Sequence, residues 1–278
     1  PEGSKTSKGR AIQNLINIEQ DDKVKAFICT QNLKDEDYIN AHYVIMATKK
    51  GQVKKTSLEQ YSRPRTNGIN AITIREGDEL LEAKLTTGES QVMLALKSGK
   101  AIRFEEAKTR PMGRGASGVR GIKLAHDEDA VIGMISVNDM ESNILVVSEN
   151  GYGKRSSLED YRITNRGGKG VKTISITDKT GHLVSIKNVT DEDDLMIINK
   201  SGIAIRMAVE DLRVMGRATQ GVKLINLKGS DSIAAVAKVM KDEEEESDEN
   251  AAEAEGADVQ SQDENTSKNN PENTQTED

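Results

Sequence analysis

Tryptophan is absent from this chain, cysteine occurs once, phenylalanine twice, and aromatics make up only 3% of 278 residues. A core without large rings must be built from Ile, Val, Leu, Met and Ala, and stacking on single-stranded bases has little to work with. The single Cys29 excludes a disulfide framework and fits a reducing, cytoplasmic compartment. No apolar run approaches the roughly 20 residues a membrane span needs, and no secretory signal opens the chain. The first residue is Pro1, in the middle of a repeat, so the chain reads as a fragment of a longer polypeptide. Catalytic ingredients are scarce too. The three histidines, His42, His126 and His182, fall in unrelated repeat phases. There is no Cys-x-x-Cys, no His-Glu-x-x-His and no Walker-type glycine–lysine loop, which argues against a zinc site and a nucleotide loop.

The formal net charge of −7 conceals two opposite halves. Residues 241–278 hold 15 Asp and Glu against two Lys, a net of −13; the rest holds 31 acidic and 37 basic residues, a net of +6. A mildly basic body thus carries an acidic tail. With Val259 its one large apolar residue, the tail cannot offset its own ordering entropy and is expected to be disordered.

What is present is a repeat. Hydrophobic strand, glycine, basic strand, polar loop and second glycine recur four times. The first glycines are Gly51, Gly99, Gly151 and Gly202, at spacings of 48, 52 and 51 residues. The second glycines are Gly9, Gly68, Gly118, Gly170 and Gly221; three complete units put 19 residues between the two anchors and the first puts 17. A strand-rich period near fifty residues predicts propeller-like blades of about four strands around an axis, not an ordinary enzyme core. The expected layout is a partial unit over 1–30, four repeats to residue 240, then the tail. Each unit reads as a hairpin turning at the first glycine, a loop, and closing strands over 24–30, 80–86, 131–137, 183–186 and 233–239. Residues 31–43 read as a surface-loop insertion. The acidic clusters before the closing strands (Asp78-Glu79, Asp127-Glu128-Asp129, residues 191–194) read as solvated hairpin ends, not metal sites, because each sits at a repeated corner.

Positive charge recurs in phase. The loops hold Arg63 and Arg65; Lys108, Arg110 and Arg114; Arg162, Arg166 and Lys169; Arg213 and Arg217. Past the second glycines stand Arg10, Arg120, Lys172 and Lys223. The return strands carry Lys54, Lys55, Lys100, Arg103, Lys154, Arg155 and Arg206. Rotationally related units must present equivalent loops on one rim. A ring of cations then faces the phosphates of a polyanion, with glycines such as Gly167, Gly168 and Gly170 letting backbone amides approach. Ten such contacts would give a log–log salt slope of about −9. A convex basic rim suits bent duplex DNA.

Several motifs then resemble one family. Gly51-Gln52-Val53-Lys54-Lys55-Thr56, Met112-Gly113-Arg114 with Gly118-Val119-Arg120-Gly121-Ile122, Gly151-Tyr152-Gly153-Lys154-Arg155, and Val214-Met215-Gly216-Arg217 with Gln220-Gly221-Val222 are similar to the C-terminal domain of the bacterial DNA gyrase A protein. The resemblance covers residues 1–240. It implies a six-bladed β-pinwheel whose neighbouring blades exchange strands and whose rim wraps duplex DNA with positive sense. It also implies a heterotetramer with the gyrase B protein and the rest of gyrase A, and ATP-dependent negative supercoiling near the nucleoid. ATP and Mg²⁺ would belong to other parts of that assembly, as would the DNA-cleaving tyrosine. None of Tyr38, Tyr43, Tyr61, Tyr152 and Tyr161 has a matching context, so no catalytic residue, cofactor or metal is expected in this chain. The family's box, Gln-Arg-Arg-Gly-Gly-Lys-Gly, belongs to a blade upstream of Pro1. Its last five residues are matched by Arg166-Gly167-Gly168-Lys169-Gly170, either as a second DNA anchor or as repeat kinship. Two other readings stand beside it: the equivalent domain of topoisomerase IV, and a protein-interaction propeller, which would call for apolar or acidic rims.

Overall fold

The computed structural model describes residues 8–9, 11, 16, 22–65 and 67–241. Arg10, most of the partial first unit and nearly all of the acidic tail lie outside the described residues. The chain divides into two units, Pro1–Lys238 and Val239–Asp278, and the site below belongs to the first.

Branched apolar runs and positive-φ glycines set the frame. A short helix, α1 (Glu36–Ala41), comes first, with the Asp35 side chain accepting from the Tyr38 amide at 3.1 Å. The first repeat then forms β1 (Tyr43–Thr48), β2 (Gln52–Ser57) and β3 (Leu80–Thr86). The second forms β4 (Gln91–Leu96), β5 (Lys100–Glu105), β6 (Val119–Arg120) and β7 (Val131–Val137). The third forms β8 (Asn143–Ser148), β9 (Tyr152–Ser157), β10 (Val171–Lys172) and β11 (Leu183–Val189). The fourth forms β12 (Asp193–Asn199), β13 (Ala204–Ala208), β14 (Val222–Lys223) and β15 (Ile233–Met240).

The sheets do not follow the repeat boundaries. Their orders are β3-β1-β2-β6, β10-β5-β4-β7, β11-β8-β9-β14 and β13-β12-β15. Each of the first three sheets therefore takes its outer strand from the following repeat, as the resemblance implied. The lent strand is two residues long and antiparallel: Val119 pairs Val53, Val171 pairs Ala101, and Val222 pairs Gly153. Its glycine is dictated by close approach. A Cβ on Gly118, Gly170 or Gly221 would stand 2.5–2.6 Å from the carbonyl oxygen of Val53, Ala101 or Gly153. The opposite edge of each of these sheets is a closing strand, and β7 lies against both β3 and β11, placing these strands toward the interior of the array. The ladders slip at the same place in three sheets, between Ala47 and Thr48, Ala95 and Leu96, and Leu183 and Ser185.

Sheets stack on one another through apolar residues. Val53 and Ile45 pack with Leu94, Ile102 and Phe104; Ile135 and Val137 pack with Ile144, Val146, Leu158 and Tyr161. Complete burial of each Val, Leu or Ile contributes about 1.5–3 kcal/mol, so the blade-to-blade seams carry most of the core. One position breaks the pattern. Where the other repeats have Leu58, Leu158 and Val209, the second has Glu106, fully buried, accepting from Thr86 Oγ1 at 2.7 Å, with Lys55 Nζ 3.7 Å away.

Three expectations need correction. Residues 24–30 form no strand; the Lys25 ammonium contacts Glu79 at 3.0 Å instead. The 31–43 insertion is not a plain loop, for it contains α1 and buries Ile39 beside Leu58. The acidic corners are only partly solvated. Asp129 is buried and accepts from the Ser98 hydroxyl and from the Ser98, Ala125 and Ala130 amides; Asp193 and Asp194 are buried beside Lys238 and Arg206. Asp129 and Asp193 accept backbone amides at their turns, and Asp194 is held by Arg206.

Candidate nucleic-acid interface

Polar loops between the return strands and the second glycines run side by side in chain order. Thr73 donates its amide to Ala116 O at 3.2 Å and its hydroxyl to Gly115 O at 2.8 Å. Gly167 N donates to Gly121 O at 2.6 Å and Lys123 N to Gly168 O at 2.8 Å; Ser175 N donates to Thr219 O at 3.1 Å. Four loops are thereby stitched into one continuous edge, and the arginines in them follow. Arg166 donates from Nε to Lys108 O at 3.0 Å and from Nη1 to Arg120 O at 3.1 Å; Arg217 Nη1 donates to Lys172 O at 2.7 Å. Both are half-buried, as is Arg114. Arg65 is exposed and shares a depression of about 660 Å³ with Arg63 and Arg114.

The lent strands lie on the same edge. Arg120, Lys172 and Lys223 are exposed and stand across from Gln52, Lys100 and Tyr152. Lys100 opposite Lys172 is a like-charge cross-strand pair, destabilising on its own, and it gains a reason if an anion sits between them. Arg162, Gly168 and Lys169 are exposed; Gly167 and Gly170 are half-buried at φ of 83° and 72°.

Five cations expected on the rim are buried instead: Lys54, Lys55, Arg103, Lys154 and Arg155. Their strands are covered on both faces, so the side chains run into the seams between blades and spend their donors mainly on backbone carbonyls there. Lys54 Nζ donates to Ala71 O and, at 2.7 Å, to Arg114 O; Lys154 Nζ donates to Gly216 O. Arg103 donates to Leu158 O at 2.7 Å and Tyr161 O at 3.0 Å, and Arg155 donates to Leu212 O and Asp191. Lys55 lies over the Tyr43 ring at 4.9 Å. Burial pulls the Lys54 and Lys154 ammoniums down to about 8, with Arg114 adding to the effect at Lys54. Burial also lowers Arg103. These groups hold the loops in place and do not reach a polyanion outside.

Other cations were not among the expected contacts. Lys179 lies over the Tyr152 ring at 5.4 Å and, with Lys200 and Lys223, lines a depression of about 450 Å³ that also contains Glu149 and Asp231. Lys200 occupies the hairpin-tip position held elsewhere by Lys49 and Lys97; that recurrence was the available signal. Among the described residues, no group of three or more His, Cys, Asp or Glu could hold a metal.

Comparisons with known proteins agree on one relationship. The family model described as DNA gyrase C-terminal domain, beta-propeller, matches residues 42–87, 92–138, 142–190 and 193–240. The A subunit of DNA gyrase from Staphylococcus aureus is 43% identical over 250 residues, which is 90% of this chain and 28% of that protein; the chain thus spans about a quarter of the curated relatives it matches. In fold, the chain is similar to the DNA gyrase A C-terminal domain (24% identity, TM-score 0.74, covering 84% of this chain and 76% of the other). It is also similar to the C-terminal domain of DNA topoisomerase IV (23% identity, TM-score 0.76, covering 84% and 71%).

Proposed function

Because this chain belongs to the DNA gyrase C-terminal domain family, we propose that it binds duplex DNA along its stitched rim and wraps it as part of a gyrase holoenzyme. The single observation that carries this reading is the continuity of the loop edge. Loops bearing Arg65, Arg114, Arg166 and Arg217 are joined by hydrogen bonds in sequence order, so a duplex laid along them meets cations from every repeat. The exposed Arg120, Lys169 and Lys223, with Lys100 and Lys172, supply phosphate contacts. Neutralising phosphates releases counterions and gives affinity without sequence preference.

Residues 166–170 are the proposed anchor on the third blade. Arg166 is held by two carbonyls of the preceding loop, while Lys169 and the Gly168 backbone stay exposed. In the holoenzyme the wrap would present a duplex segment for strand passage, with ATP hydrolysis in gyrase B and DNA cleavage elsewhere in gyrase A. The rest of gyrase A, gyrase B and duplex DNA are the proposed partners, and the bacterial cytoplasm the proposed site of action. Topoisomerase IV is the second reading, supported by its similar fold; the relative at 43% identity favours gyrase.

The test is plasmid topology. A relaxed circle nicked and religated with the chain bound should shift in linking number, and a gel shift should weaken steeply with salt. An unchanged linking number, with retardation absent even at low salt, would remove the wrapping reading and favour a protein-binding propeller.

A further inference from the structure

The rim carries a second in-phase feature that phosphate contact does not use. In three repeats an exposed arginine is followed directly by an exposed apolar residue: Arg110-Pro111, Arg162-Ile163 and Arg213-Val214. Ile163 and Val214 are 48% and 51% exposed. None of the three guanidinium groups makes an ion pair or hydrogen bond among the described residues. The first repeat, whose loop is two residues shorter, has Arg63-Pro64 one position out of register.

Single exposed apolar residues on a protein surface are ordinary. These are not scattered, because the same scaffold fixes all three. Pro111, Ile163 and Val214 form parallel bridges with Lys55, Arg103 and Arg155 of the preceding repeat. The next amide in each case donates to the same residue's carbonyl: Met112 to Lys55 at 2.7 Å, Thr164 to Arg103 at 2.9 Å, and Met215 to Arg155 at 2.8 Å. Lys55, Arg103 and Arg155 are three of the buried cations described above, so the exposed pair stands on a rigid base. The ordering cost of these segments is met in advance by the scaffold, which suits a surface meant to be covered.

Resting on the DNA-binding reading, we propose that each Arg–apolar pair enters the minor groove of the wrapped duplex. The arginine occupies the groove and the apolar side chain packs against its deoxyribose wall. A minor groove of about 6 Å takes single side chains, whereas a major groove of about 12 Å is read by a helix or a β-ribbon. The one α-helix among the described residues, α1, has no basic residue, and the rim strands are only two residues long. A narrowed minor groove concentrates negative potential and attracts arginine, and apolar contact beside it favours bending. The preferred substrate is therefore duplex whose minor groove narrows easily, with A·T-rich steps facing the rim.

The experiment compares grooves and removes no charge. Netropsin, which fills the A·T minor groove, should displace the chain from duplex DNA; methyl green, in the major groove, should leave it bound. The I163S/V214S variant should bind about tenfold more weakly and shift linking number less, with the log–log salt slope unchanged because no phosphate contact is lost. Both side chains are exposed, so an unchanged Tm checks folding, and the netropsin arm needs no variant. Binding that survives netropsin, or wild-type affinity and linking shift in I163S/V214S, overturns the groove assignment alone. Failure of the unaltered chain to bind any duplex at low salt overturns the DNA reading beneath it.

Discussion

Lys100 stands directly opposite Lys172 across the ladder between β5 and its lent strand β10. Facing ammoniums on an antiparallel pair repel one another. Replacing each in turn with Gln should therefore have two opposite consequences. Without DNA, Lys172→Gln should hold or slightly raise Tm. With DNA, each substitution should reduce the salt slope by about 0.9. A variant that loses Tm and keeps the full slope would assign the pair a structural role only.

Arg103 is also cationic but should behave in the opposite way. Its guanidinium serves Leu158 O, Tyr161 O and Gln91 inside the blade seam. Arg103→Gln should cost about 1.5–3 kcal/mol of stability for the charged hydrogen bonds lost and leave the salt slope alone. Chemical denaturation paired with DNA titration separates the two effects.

Glu106 sits where its counterparts are Leu or Val, with Lys55 and Thr86 beside it and Oε2 unpartnered among the described residues. Removing the cation alone strands a buried carboxylate, so Lys55→Met should destabilise by about 3–5 kcal/mol. Adding Glu106→Leu should recover most of that, since an apolar pair replaces a buried ionic one at little cost. A double-mutant cycle with additive losses would contradict the coupling.

Lys54 and Lys154 give a pH signature. Burial lowers both to about 8 from an unfolded value of 10.5. Between those values the unfolded chain binds more protons, so their contribution to stability rises with pH across the window and is flat below it. Wild type should gain Tm relative to the Lys54→Met/Lys154→Met variant as pH is raised from about 8 toward 10.5. A difference that shrinks as pH rises would reverse the sign and contradict the burial.

Gly151 and Gly202 share a repeat phase and differ in surroundings. Both have positive φ, but a Cβ on Gly151 would stand 2.8 Å from Ile225 O, while nothing lies within 4 Å of one on Gly202. Gly202→Ala should cost only the backbone strain, about 1–2 kcal/mol; Gly151→Ala should cost clearly more. Equal losses in thermal unfolding would mean that the segment around Ile225, just past the lent strand, adjusts freely.

Much of this architecture was legible in the residues. The glycine period located every hairpin, and the branched runs located the closing strands at 80–86 and 131–137. Strand exchange was legible only through family resemblance, because a two-residue strand such as Val171-Lys172 carries no pattern of its own. The misread cations are more instructive. Lys54 and Lys55 are consecutive on one strand and both buried, so both faces of that strand are covered. Face-to-face stacking of blades requires this, and a propeller reading carried through would have moved Lys54, Lys55, Arg103, Lys154 and Arg155 inside. Residues 24–30 looked like a strand from composition, yet their backbone groups join no ladder.

The borrowed outer strand changes what counts as a module. A block of one period, taken from any starting phase, brings one acceptor edge and one donor segment. Duplicating or deleting such a block leaves every interior junction matched, whereas an insertion of half a period would leave one edge without a donor. Blade number is therefore free to change in whole steps, and with it the length of the stitched loop edge.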